Sequence, residues 1–211
     1  KKRVFGRPLI SINGESGKNI TFRNIQAFSE ENIGYLTFTG GRWENVLIDN
    51  LKADHINSDG WEPVQFRDSV NIVSATISNS YFTSNPIGGL ISHNSTKPGG
   101  AISFDNCIFD GGDPTLNQGR TFFLHTDSVA YTFNNCEFKN AYCLIRPAAL
   151  GIKIKFSGVS LKTSLGVAPY PGYVSTTEVT NHGYTHENAP DYFTFRDNSG
   201  LPGSKLVLNR T

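Results

Sequence analysis

The chain has 211 residues, of which 37% are apolar, 12% aromatic and only 18% charged, with 21 Gly and no Met. Such a length fits one domain, or one domain with a tail, and plentiful Gly, Asn, Phe, Ile, Val and Thr exclude a helical bundle. With 19 basic residues against 18 acidic ones, nothing is left over to neutralise a phosphate backbone, so nucleic-acid binding lacks electrostatic support.

The start, Lys1-Lys2-Arg3-Val4-Phe5-Gly6, leads into no signal-peptide core. Without an initiator Met the chain reads as part of a longer protein. No apolar run nears the ~20 residues that a membrane helix needs, so no membrane insertion is expected.

From Ile20 onward a repeat governs the pattern. Asn24, Asn50, Asn79, Asn106 and Asn135, with Gly158 as a sixth anchor, stand 26, 29, 27, 29 and 23 residues apart. Two positions before each anchor come Phe22, Ile48, Ile77, Phe104, Phe133 and Phe156. Three positions after come Ala27, Ala53, Phe82, Phe109, Phe138 and Leu161, and the residues between are mostly polar. That is period-2 alternation, a tight corner, and alternation again. The corner needs a left-handed backbone, which Gly adopts freely and Asn tolerates best among the other residues.

Each repeat has room for three short strands. The first begins with a pair at 20–23 and 25–28, joined at the Asn. Third strands are expected at 35–38, 64–67, 90–93, 121–125 and 143–146. Stacked coil on coil, they predict an all-β fold, a right-handed parallel β-helix of about six coils over residues 1–162. Cys107 and Cys136 each follow an anchor, so they stack in neighbouring coils. With Cys143 they read as reduced packing residues rather than a disulfide framework or a zinc site, although a Cys107–Cys136 bridge is geometrically open. After 162 the period fails. Residues 163–211 read as a C-terminal β-rich cap or tail, with strands near 192–196 and 205–208, suited to covering the open end of the helix or to contacts between subunits.

The stretches Asn19-Ile20-Thr21-Phe22-Arg23-Asn24-Ile25, Ala101-Ile102-Ser103-Phe104-Asp105-Asn106-Cys107-Ile108-Phe109 and Tyr131-Thr132-Phe133-Asn134-Asn135-Cys136-Glu137-Phe138 carry a resemblance to the pectate-lyase-like superfamily of single-stranded β-helices. It covers roughly residues 8–161. The superfamily includes lyases, hydrolases, epimerases, tailspikes and adhesins, so the resemblance implies a fold more than a reaction. It also implies a saccharide on the outer face of one sheet, with loop residues supplying the chemistry.

The densest polar cluster falls in the second coil. Hydrolysis of a glycosidic bond needs two carboxyl groups about 5 to 9 Å apart, and Asp59 and Glu62 are the expected pair, with Asp54 in reserve. Trp61 is the expected stacking platform, with Trp43 and Tyr35 as weaker ones. Gln65, Arg67, His93, His125, Asp127 and Arg146 are expected to bind and orient the substrate. Asn57-Ser58-Asp59-Gly60 is similar to the Asn-Thr-Asp-Gly element of polygalacturonase-type hydrolases. The Asp-Asp pair that follows in those enzymes is replaced here by Ser84-Asn85-Pro86-Ile87, so only Asp59 carries over. Asp110-Gly111-Gly112-Asp113 offers oxygens suited to calcium but lacks the length of a calcium loop. It reads as a turn, and no metal or cofactor is expected.

The leading expectation is a phage-tailspike-like homotrimer, on a virion tail or extracellular. It would bind a bacterial surface polysaccharide and act on it as a glycoside hydrolase. The alternatives are a free polysaccharide lyase, with a base and a cation among Arg67, His93, His125 and Arg146, and a non-catalytic adhesin or shaft segment.

Overall fold

A computed structural model describes residues 10–29, 35–55, 62–84, 91–111, 120–140, 143–162, 176–187 and 205–210. The first pass of the chain lays down β1 (Ile10–Ile12), β2 (Ser16–Lys18) and β3 (Thr21–Ser29). The second repeats the set as β4 (Leu36–Thr39), β5 (Arg42–Glu44) and β6 (Val46–His55). The third has β7 (Val64–Asp68), β8 (Asn71–Ile72), β9 (Ser74–Ser78) and β10 (Tyr81–Ser84). Then come β11 (Ile91–Ser95), β12 (Ala101–Asp105) and β13 (Ile108–Asp110), followed by β14 (Arg120–Leu124), β15 (Ala130–Asn134) and β16 (Glu137–Lys139). The sixth pass holds β17 (Cys143–Pro147) and β18 (Ile152–Lys162), and two further strands are β19 (Thr176–Glu187) and β20 (Lys205–Arg210).

Every pairing between these strands is parallel and joins a strand to its counterpart one pass away. The result is an all-β parallel solenoid with a six-stranded sheet β1-β4-β7-β11-β14-β17, a short sheet β2-β5-β8, and an eleven-stranded sheet that bends around a corner. It amounts to about four turns, fewer than the about six read from the anchors. The first and last passes have a neighbour on only one side of the six-stranded sheet. No described helix is long and apolar enough to cross a membrane.

The corner is where the repeat anchors sit. Asn24, Asn50, Asn79, Asn106 and Asn135 have φ between 50° and 56°, and Gly158 has φ 61°, the left-handed conformation that the residue types required. The Asn side chains also stack: Asn50 Nδ2 donates to Asn24 Oδ1 at 2.9 Å, and Asn106 Nδ2 to Asn79 Oδ1 at 3.5 Å. A second corner, not anticipated from the sequence, uses Asn19 and Asn45 at φ 57° and 56°, bonded to each other at 3.1 Å.

Inside, each inward row becomes a stack. Phe104, Phe133 and Phe156 lie face to face at 4.8 and 5.4 Å, and Phe82, Phe109 and Phe138 at 5.3 and 4.9 Å. Those separations are set by the ~4.8 Å between strands, and each ring pair adds ~0.5–1.5 kcal/mol beyond burial. Cys107 and Cys136 are buried free thiols. The hydrogen bond shared with Cys136, and then burial, pushes the Cys107 thiol up.

The aperiodic stretch does not end the sheet. β19 pairs with β18 from Ile152↔Thr177 to Lys162↔Glu187, and β20 pairs with β19. Thr177 and Val179 are buried in the rows above Ile152 and Ile154. The strand expected near 192–196 lies outside the described residues.

Candidate functional site

The six-stranded sheet turns alternate residues outward. One outward row runs Ser11, Thr37, Gln65 and Ser92, and its register continues on the backbone to positions 123 and 146. Beside it run Thr39, Arg67 and Asn94, and continuing that register by one residue sets His125 next to Asn94. Arg67 Nε pairs with Asp68 Oδ2 at 3.5 Å and its side chain is 38% exposed. Burial lowers the pKa of His125, which favours the neutral imidazole.

Glu62 leads into β7 and is buried. Gln65 Nε2 donates to Glu62 Oε2 at 3.4 Å. Gln65 and its register partner Thr37 are also buried although they face outward. Gln65 Oε1 and Thr37 Oγ1 make no hydrogen bond among the described residues. Asp127, at the turn after β14, is exposed, and its Oδ1 accepts from the Leu150 amide at 2.8 Å, so it holds a turn.

Several expectations from the sequence change place. His93 is 1% exposed and faces the interior, in the row of Phe38, Phe66 and Leu124. Its Nδ1 is 2.8 Å from Tyr131 Oη, and burial lowers its pKa to about 3. A neutral core histidine offers nothing to a ligand on the outer face. Alternation already contained this: Ile91, His93 and Ser95 share one phase, and Ser92 and Asn94 the other. Trp43 is no sugar platform either. Its Nε1 donates to the Gly40 carbonyl at 2.8 Å, and its ring fills the space that Gly17 leaves. Tyr35 is buried with its hydroxyl donating to the Asp54 carbonyl at 2.6 Å.

Asp54 lies on β6 in the eleven-stranded sheet, whereas Glu62 enters the six-stranded sheet. Asp59 and Trp61 lie outside the described residues. Arg146 is placed on β17 opposite Phe123, and its side chain lies outside the described set.

Asp54 instead belongs to a second outer face. Lys52, Tyr81, Ile108, Glu137 and Ser160 form one outward row, and Asp54, Thr83, Asp110, Lys139 and Lys162 form its neighbour. Tyr81 Oη donates to Asp110 Oδ2 at 3.4 Å. Lys139 Nζ is 3.4 Å from the same oxygen and 5.8 Å from the Tyr81 ring centre. Asn140 Nδ2 donates to Asp110 Oδ1 at 3.0 Å. Burial, then the charge of Asp110, and more weakly that of Asp54, raises the pKa of Tyr81. Asp110, read from the sequence as part of a turn, is thus the hub of a polar network, and Asp113 lies outside the described residues. A reading of outward positions two and four residues after each anchor would have found both rows.

Among the described residues no group of three or more His, Cys, Asp or Glu converges as a metal site would. On both candidate faces the outward residues form rows that cross successive strands, an arrangement suited to an extended chain. No protein-family profile, no curated protein and no solved structure matches this chain, so fold and side-chain geometry alone carry the functional reading.

Proposed function

We propose that this protein binds a bacterial surface polysaccharide along the outer face of the six-stranded sheet, in the manner of a phage tailspike, and cleaves it as a glycoside hydrolase. The observation that carries the reading is the alignment of Arg67 and Asn94 on successive strands, with His125 directly after the next one. A row with one polar group every ~4.8 Å offers a linear glycan a new partner at each strand it crosses. The formal net charge of +1 gives no general attraction for polyanions, so recognition falls to these local groups. Glu62, bonded to Gln65 of this face, is the proposed first carboxyl, and Asp59 is its proposed partner in acid–base work. The assembly proposed is a homotrimer, on a virion tail or otherwise extracellular.

An array of capsular and O-antigen polysaccharides, followed by a reducing-end assay on the hits, tests the reading. Glu62→Gln and Asp59→Asn should each abolish release while binding persists. Release at the wild-type rate in both variants would overturn the carboxylate assignment. Light scattering should give three times the 23.2 kDa chain mass.

Neutral His125 in the row that contains Arg67 favours one second reading, a lyase with a base and a cation on the same face. Products absorbing in the ultraviolet as unsaturated uronates select it. Binding without any cleavage selects an adhesin.

A further inference from the structure

On the second outer face the polar pattern breaks at two neighbouring positions. Tyr81 and Ile108 are register partners on β10 and β13 and both point outward. Ile108 is 36% exposed, one of few large apolar side chains exposed among the described residues. The same row is polar on either side, with Lys52 before and Glu137 after. Packing inside the solenoid does not explain the pair, because the inward phase of these strands is already filled by Phe82 and Phe109.

The surroundings are ordered. The Tyr81 side chain leans along the solenoid axis, with its hydroxyl on Asp110 and Lys139 near its ring. Asp110 is itself fixed by Lys139 and Asn140. Asp54 and Asp110 are both register partners of Thr83. They lie in the row beside the apolar pair, two strand spacings apart, about 10 Å.

We propose that the Tyr81–Ile108 strip, edged by Asp54, Thr83 and Asp110, is a second saccharide-binding platform, selective for neutral sugars. The C–H face of a pyranose covers the apolar strip, as aromatic and aliphatic surfaces favour. Its hydroxyls donate to the two carboxylates, the stronger kind of hydrogen bond. A uronate or sialic acid would bring its own carboxylate against Asp54, where like charges repel, while the Lys139 ammonium beside the strip is already engaged by Asp110 and Glu137. The inference rests on the polysaccharide-binding reading given above and adds to it a site and a substrate class.

The test uses the full chain on an array of purified neutral and acidic bacterial polysaccharides, comparing wild type with Tyr81→Ala, Tyr81→Phe, Ile108→Ser and Arg67→Ala. Tyr81→Ala and Ile108→Ser should each weaken binding of a neutral glycan at least tenfold at unchanged melting temperature, and Tyr81→Phe should keep most of it. Neutral-glycan binding equal to wild type in both Tyr81→Ala and Ile108→Ser overturns the platform. Binding lost only in Arg67→Ala overturns it too, while leaving the first reading intact. A wild-type chain that binds only acidic glycans overturns the neutral selectivity, and one that binds none overturns both readings.

Discussion

His93 makes the solenoid labile to acid in a way that can be calculated. Its imidazole lies between the Phe66 ring, 5.7 Å away, and the Tyr131 ring, 6.1 Å away, with Nδ1 on the Tyr131 hydroxyl. Burial lowers its folded pKa to about 3, against ~6.5 in an unfolded chain. Between those values the unfolded chain holds a proton that the folded chain refuses, so stability rises with pH in that window and is lost as pH falls through it. Above about pH 7 the group contributes no pH dependence. One unit corresponds to ~1.4 kcal/mol, so the loss reaches about 2 kcal/mol at pH 5. Tyr131, the titratable group facing His93, has its pKa raised by burial and stays neutral throughout. The comparison is with His93→Asn, which keeps an acceptor near Nδ1 but does not titrate. Urea unfolding at pH 7.5 and pH 5 should show wild type losing about 2 kcal/mol more than the variant. Equal pH dependence in the two chains, or a His93 resonance that titrates near 6.5, would refute the reasoning.

Three other substitutions probe the walls. Gly17→Ala places a Cβ 2.2 Å from Trp43 Cζ3, an overpacking that should cost ~1–3 kcal/mol. Unfolding free energies measure that cost, and an unchanged Trp emission spectrum would contradict it. Asn106 has φ 55°, so Asn106→Ala should destabilise by ~1–2 kcal/mol and Asn106→Gly by less; the reverse order in thermal melts would show that the side-chain ladder, not the backbone, sets the corner. Thr37→Val removes a buried hydroxyl without a hydrogen bond among the described residues. It should be neutral or stabilising by up to about 1 kcal/mol, and a drop in melting temperature of several degrees would show that the hydroxyl is partnered.

The fold was legible because its two strictest demands fall on few residue types. Only Gly or Asn serves well at φ near 55°, so the corner shows as a column of Asn ending in Gly158. Only large apolar side chains fill the stack, so Phe104 and Phe133 recur in phase. β8 is two residues and β2 and β5 are three each, too short for alternation to register, so that side of the solenoid stayed hidden. β19 stayed hidden for another reason. Its buried Thr177 stands where the preceding coil uses Ile152, and a β-branched hydroxyl residue packs like Val while reading as polar.

The site was harder to read because position outweighs residue type on a solenoid. His93, Trp43 and Tyr35 look like ligand-binding residues in composition, yet strand phase puts His93 inside, Trp43 packs onto Gly17, and Tyr35 is buried with its hydroxyl on the Asp54 carbonyl. Asp110 looks like a turn residue, yet its phase puts it beside Tyr81 on an open face. Inward rows repeat because each residue must fit the one stacked above it, and a packing error there costs kilocalories. Outward rows are free of that demand, so no repeat marks them. What can be read there is departure from the expected polar surface: Tyr81 with Ile108 on one face, and on the other Thr37 and Gln65, outward in phase yet buried. Stability alone explains neither. Buried polar atoms with no hydrogen bond among the described residues weaken a fold, and a ligand that covers the apolar pair gains free energy by taking it out of water.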